Sequence, residues 1–265
     1  MHWRVFATLL LLGGSLTPNL AAEKPLEVPH PDQPIVSSFN ISNLNKVGEA
    51  ALSGTPSKEA GFLYAFDRRL ATVYAAREPG PAHIDVVFNR PRVVRNVRFL
   101  TPEGGYRWTL LAGGSFEELE SGAPMVQALA RGENRLVTDS WQDVKLPGDT
   151  PITALRLLVE PEEKTQHVRI SELQLIGEQR LEAISLKSKS PAIDLNAEVP
   201  LELEGYFNGG ETRLITSKKV RWTVTPSVMA RVNSHQRIQG RRRGALHVRA
   251  GLGKLESPPL PLTVE

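Results

Sequence analysis

From His83 onward the chain is written in short segments of alternating apolar and polar residues, each closed by a glycine or proline break. HIDVVF (83–88) puts Ile84, Val86 and Phe88 on one face, and VVRNVRFL (93–100) and YRWTLL (106–111) follow. Leu136–Leu146, ALRLLVE (154–160) and VRISELQLI (168–176) complete the set. The breaks carry Asn89-Arg90-Pro91, Pro102-Glu103-Gly104-Gly105, Gly113-Gly114 and Pro147-Gly148. A period of two under this punctuation predicts half-buried strands in an all-β sandwich. Helical patterning is confined to a turn or two within Ser57–Ala76 and to Phe116–Leu119. After Gly177 come six more short segments: Ala183–Leu186, Val199–Tyr206, Val220–Thr225, Ala230–Val232, Leu246–Ala250 and Leu260–Val264. They predict a second sandwich, joined at Gly177–Arg180 with almost no linker. Two domains suit a length of 265 residues.

The first 22 residues have another character. Arg4 precedes the apolar run Val5–Leu12, then Gly13, Gly14 and Pro18, then Leu20-Ala21-Ala22. This is the layout of a secretory signal peptide. The run is well short of the ~20 residues that span a bilayer, so no transmembrane anchor is expected. The chain reads as exported: secreted, periplasmic or at the cell surface. It contains no cysteine, which excludes a disulfide scaffold, a thiol nucleophile, a Cys-ligated zinc or iron–sulfur centre and a lipid-anchored cysteine. An exported chain held by core burial alone suits a bacterial protein. The expected organisation is a signal peptide at 1–22 and a Pro-rich extended leader with a first strand at 23–49. A sandwich at 50–178 and a second at 179–265 follow.

Charge follows the same division. The net of +3 combines 17 Lys+Arg and 21 Asp+Glu in residues 23–178 with 14 and 8 in residues 179–265, and Arg4 supplies the remaining charge. An acidic first domain therefore precedes a basic second one.

Three segments of the first domain carry a resemblance. FDRRLATVY (66–74) presents Asp67, Thr72 and Tyr74 at the spacing of an early Asp…Thr-x-aromatic loop. IDVVFNRPRVVRNVRF (84–99) gives a strand, a Pro turn and a Val-rich strand; ALRLLVE (154–160) and RISELQLIG (169–177) close the unit. In order and spacing this resembles the discoidin, or coagulation factor V/VIII type C, family, which includes bacterial family 32 carbohydrate-binding modules. The resemblance implies a galactose-binding-like jelly roll over roughly 50–177. In the second domain, ISL (184–186), LELEGYFNGG (201–210), VRWTVTP (220–226), SVMARV (227–232) and IQGRRRGALHVRA (238–250) resemble the bacterial Ig-like group 2 family. That family supplies spacers and adhesive modules.

Candidate residues follow from these resemblances. The discoidin-like pattern implies a structural calcium held by Asp67, the carbonyl of Arg69, Thr72 and Glu172, since that ion takes six to eight hard oxygens. Arg68 and Arg69 replace the family's glycine and second acid and oppose a divalent ion. The expectation is therefore no cofactor, with Asp67 pairing a neighbouring Arg or capping a turn. Sugar binding calls for an aromatic plane with hydrogen-bonding side chains on loops, which nominates Tyr64, Arg77, His83 and Trp141. Trp108 alternates with Tyr106 and Leu110 and is expected in the core, and the Ig-like resemblance implies a core position for Trp222. Arg237, Arg241, Arg242, Arg243, Arg249 and Lys254 form a basic cluster suited to a polyanion, or a solvated turn. Nucleic acid is not expected, because no reader motif accompanies the cluster.

No catalytic motif emerges. His-Glu-x-x-His is missing, Gly113-Gly114-Ser115 does not complete a nucleophile elbow, and Gly251-Leu252-Gly253 stands in no dinucleotide loop. The sequence therefore reads as a non-enzymatic exported binding protein. Its expected partner is a carbohydrate or cell-surface glycan, with adhesion as the role. The alternatives are a structural or assembly protein that binds another envelope protein, and an accessory module for a separately encoded secreted enzyme.

Overall fold

A computed structural model describes residues 25–57, 61–101, 104–123, 126–134, 141–146 and 151–265. The signal-peptide expectation at 1–22, and residues 136–140 of one expected strand, lie outside them. In chain order the elements begin with β1 (Leu26–Glu27), β2 (Ile35–Ser38), α1 (Ile41–Lys46), β3 (Ala50–Gly54), β4 (Tyr74–Ala75) and β5 (Ala82–Leu100). Next come β6 (Tyr106–Gly113), α2 (Phe116–Ser121), β7 (Gln127–Asn134), β8 (Trp141–Lys145), β9 (Pro151–Pro161), β10 (Arg169–Ile170) and β11 (Glu172–Gln179). The second half holds β12 (Leu181–Ser188), β13 (Ala192–Ile193), β14 (Glu198–Phe207), β15 (Thr212–Thr216) and β16 (Arg221–Thr225). It closes with β17 (Ala230–Val232), β18 (Arg237–Gly240), β19 (Gly244–Leu252), β20 (Leu255–Glu256) and β21 (Leu260–Val264). The fold is all-β, as the alternating pattern predicts.

The first sandwich is organised by β5. A turn expected at Asn89-Arg90-Pro91 would have made two strands; instead one strand of 19 residues runs through it. Pro91 has no N–H to donate to a ladder, and residues 89–91 are exposed, so the strand turns a corner there rather than reversing. Its first half pairs β3 and β9; its second half pairs β11 and β8. The two sheets so joined face each other across a core that includes Ile84, Phe88, Phe99, Leu157 and Leu175. Trp108 lies in that core, edge-on to Phe99 at 5.5 Å between ring centroids. Gly177 marks a bulge opposite β5, where a Cβ would stand 2.1 Å from the Val93 carbonyl.

One charged pair is buried against this sheet. Asp85 faces away from the core yet is fully buried, because Arg156 directly opposite on β9 grips both its oxygens at 2.7 Å. The same guanidinium donates to the Leu119 carbonyl at 2.8 Å and so fixes α2 over the outer face. Ser115 caps α2 by accepting from the Glu118 N–H, an N-cap that suits a Ser-x-x-Glu sequence.

The second sandwich has its own core, with Ile184, Leu203, Ile238 and Val248 among its members and Trp222 partly buried against it. Strands β12, β14, β15, β17 and β18 form one sheet, and β13, β21, β19 and β16 the other.

The stretch expected as an extended leader is extended only in part. Helix α1 occupies Ile41–Lys46, where the Asn40 side chain accepts from the Asn43 N–H and Ile41 and Leu44 are buried. The strands before it are tied down at both ends. Leu26 and Glu27 pair in parallel with Ile215 and Thr216 of β15, and Val28 enters the second core. Residues 35–38 then pair with the end of β11 in the first sandwich. The joint is closed by Gln179, wholly buried, whose amide donates to the Ser37 and Ser38 carbonyls at 3.2 and 2.8 Å. The β14–β15 turn packs against it, and a Cβ at Gly209 would stand 2.2 Å from the Gln179 side chain. Asn40 and Asn43 beside this turn bond the carbonyls of Gly209 and Gly210.

Removing one member of a buried ion pair leaves an unmatched charge and costs about 3–5 kcal/mol. Asp85→Asn should lower stability by that order in urea denaturation. Asp85→Leu with Arg156→Met should recover most of the loss, and full stability of the single variant would deny the pair its role.

Candidate functional site

At the joint, the outer face of the first sandwich meets the second. Glu172 and Gln174 project from β11 on the face opposite Leu173 and Leu175, and Trp141 starts β8, opposite Leu100. With Arg68 and Leu70 from the 66–72 loop, Ser37 and Ser38 from the leader, and Glu211 and Arg213 from the second sandwich, they line a crevice of about 430 Å³. Both units and the leader thus contribute walls.

Trp141 is half-buried, with the Arg98 guanidinium 4.9 Å from its ring centroid. Arg98 in turn lies 3.3 Å from Asp143. Across the crevice, Glu211 is buried and accepts from Arg68 at 3.4 Å and from the Ser37 hydroxyl at 3.2 Å, with Arg213 at 3.9 Å. These charges offset each other.

Glu172 differs. It is 2% exposed, and its Oε2 has no hydrogen-bond partner among the described residues. Burial, and then the nearby Asp67 charge, push its pKa up to about 7, against the pull of the Arg68 N–H and the Gln174 side chain. Near neutral pH the carboxyl is shared between its acid and carboxylate forms, so it can donate or accept.

The residues expected around calcium are gathered here. Asp67 accepts from the Arg69 N–H at 2.8 Å and from the Thr72 hydroxyl at 2.7 Å, and that hydroxyl lies 2.7 Å from the Arg69 carbonyl. Asp67 therefore closes a turn, one of the two roles expected of it. Arg68, expected to repel a cation at this loop, is drawn away to Glu211 of the second sandwich. Asp67 and Glu172 supply the carboxylates, Thr72 and Arg69 one oxygen each, which is short of a full calcium shell. Among the described residues, His, Asp and Glu form no cluster of three or more placed to hold a metal.

The four residues nominated for sugar contact do not converge. Trp141 lines the crevice, whereas Arg77 lies beside Glu78 in a separate pocket of about 340 Å³ with Thr55 and Pro81. Tyr64 is exposed on the short turn Phe62–Ala65. His83 sits 3.8 Å from Asp85, and burial lowers its pKa, which makes it part of the α2 attachment. Glu211, Arg213 and the leader serines were not legible as site residues, because they arrive through long-range packing. The basic cluster is also rearranged. Arg237 is bound to Glu198 at 3.2 Å, and Lys254 occupies the turn after β19, at the opposite end from Arg241–Arg243.

No family model matches the chain, and no curated protein matches it. Among solved structures, it is similar to the family 32 carbohydrate-binding module of C. perfringens NanJ in complex with galactose. That pair shares 12% identity over 54% of this chain and 99% of the module, with a TM-score of 0.42. CpGH89CBM32-5 from Clostridium perfringens, in complex with GalNAc-β-1,3-galactose, shares 16% over 52% and 99%, with a TM-score of 0.41. CBM32-3 from a family 31 glycoside hydrolase of the same organism shares 10% over 53% and 94%, again with a TM-score of 0.41.

The raised pKa of Glu172 sets a direction for stability. The folded state holds its proton more tightly than the unfolded chain, whose value is near 4.5. The stabilisation is complete below that value and is lost as pH rises through about 7, a change on the order of 3 kcal/mol. Urea denaturation across this range should show that fall in the native chain and a much flatter profile for Glu172→Gln. Parallel profiles would remove Glu172 as the cause.

Proposed function

We propose that this chain is an exported, non-catalytic carbohydrate-binding protein of the bacterial cell surface, with the crevice at the joint as its sugar site. The observation that carries this reading is the buried, unpartnered oxygen of Glu172 in a crevice walled by Trp141. A buried polar atom without a partner is costly, and a sugar hydroxyl, both donor and acceptor, suits a carboxyl that titrates near neutrality. Trp141 offers an apolar plane, and Gln174 and the leader serines offer further hydrogen bonds. The discoidin-like pattern of the first sandwich and the Ig-like group 2 pattern of the second agree with a binding module set on a spacer, in an adhesive role.

In this reading the protein needs no cofactor, since Asp67 closes its own turn and Glu172 takes up a proton. Chelator treatment followed by calcium should leave the melting temperature unchanged at pH 8; a calcium-dependent rise of several degrees would return Asp67, Arg69, Thr72 and Glu172 to the ion.

The decisive experiment is a glycan array on the full chain, followed by titration of the glycans it retains. Trp141→Ala should weaken binding by about 2 kcal/mol, roughly thirtyfold, as for a central aromatic contact. A silent array, or retention unaltered by Trp141→Ala and Glu172→Gln, would overturn the reading.

A further inference from the structure

A second concave surface lies wholly on the second sandwich and does not rest on the crevice reading. On β16 and β19 the inward residues are Trp222 and Val224, and Leu246, Val248 and Ala250. The alternate residues therefore share the outer face: Arg221, Thr223 and Thr225 beside His247, Arg249 and Gly251. They floor a groove of about 660 Å³, with Glu256 and Pro259 on its wall. Thr223 stands opposite Arg249 and Thr225 opposite His247, so each hydroxyl on one strand faces a nitrogen-bearing side chain on the other. Residues two apart on a strand are spaced by about 7 Å.

Most of these cations are without a counter-charge. Arg249, Arg241, Arg242 and Arg243 are exposed, and no ion pair or side-chain hydrogen bond engages them among the described residues. Among the described residues Arg221 donates only to the Gly253 carbonyl, at 3.1 Å. The Arg241–Arg243 turn opens directly into β19 at Gly244, which continues the positive charge past the end of the groove. Glu256 is the single acid lining it.

We propose that this groove binds a linear anionic polysaccharide. Arg221, His247 and Arg249 face the acidic groups, Thr223 and Thr225 bond the sugar hydroxyls, and the arginine turn holds the chain as it leaves. Charge complementarity argues for an anion. The pairing of hydroxyls with basic side chains across the two strands argues for a ligand that carries both hydroxyls and acidic groups. Among the described residues the face presents no Trp, Tyr or Phe ring, because Trp222 points into the core, so it lacks the large stacking platform that single-stranded nucleic acid uses. The concavity suits a chain better than a flat membrane.

The test is binding of polygalacturonate and dextran sulfate to the full chain, with neutral dextran and anionic phospholipid vesicles as comparisons. Binding to both polyanions is expected, falling at least tenfold between about 50 mM and about 300 mM salt. Arg221→Gln with Arg249→Gln should weaken it at least tenfold, and Thr223→Asp, which places an acid on the exposed floor, should do the same. Unchanged melting temperatures of these surface variants would show that the fold is intact. Four results would each overturn the proposal: no binding at low salt, equal binding to neutral dextran, binding to vesicles alone, and binding lost only when Arg241–Arg243 become Gln. Loss of the Trp141 site leaves this outcome untouched, so the two sites fail separately.

Discussion

The geometry of the joint rests on one buried amide. Gln179 ends the last strand of the first sandwich, and a single residue, Arg180, separates it from β12. Its side chain is held between the leader carbonyls and the β14–β15 turn. A flexible linker would let the sandwiches move independently. Here a buried donor must find its acceptors, and those acceptors belong to a segment that is also paired with the second sandwich. The crevice exists because this arrangement sets Glu211 and Arg213 opposite Glu172 and Trp141.

Much of the fold was legible because strands announce themselves through a period of two. Ile84, Val86 and Phe88 are all buried in the first core, and Leu246, Val248 and Ala250 in the second. Local pattern fails where the cause is distant. Asn89-Arg90-Pro91 has the composition of a hairpin turn, yet the two halves of β5 find different partner strands, and only those partners make it a corner. Asp85 reads as the solvent side of an amphipathic strand; its burial depends on Arg156, 71 positions away. The leader's pairing with β15 left no trace in its own residues, and neither did the helix α1 that follows it.

The site divides the same way. Trp141 and Glu172 were both singled out, one as an aromatic near a loop and the other through a family pattern for a metal. Their meeting in one crevice is a property of strand register, with Trp141 and Glu172 on either side of Leu100. The departure from that pattern at Arg68 also gains a reason. An arginine at this loop is an intruder beside a metal, but a sensible partner for a buried carboxylate across the joint. Electrostatics here are local compromises, with Glu211 satisfied by arginines and Glu172 lifted toward neutrality by burial and by Asp67.

The N-terminal strap also has a consequence in time. Leu26 must find Ile215, some 190 positions later in the chain, and contacts of such separation form late in folding. The strap is therefore among the last segments to reach its final place. Until the strap settles, the edge of β11 that β2 covers is open. An open strand edge is a site for wrong pairing. In this protein the strap is thus also the cover of a strand edge, and its late arrival leaves that edge exposed.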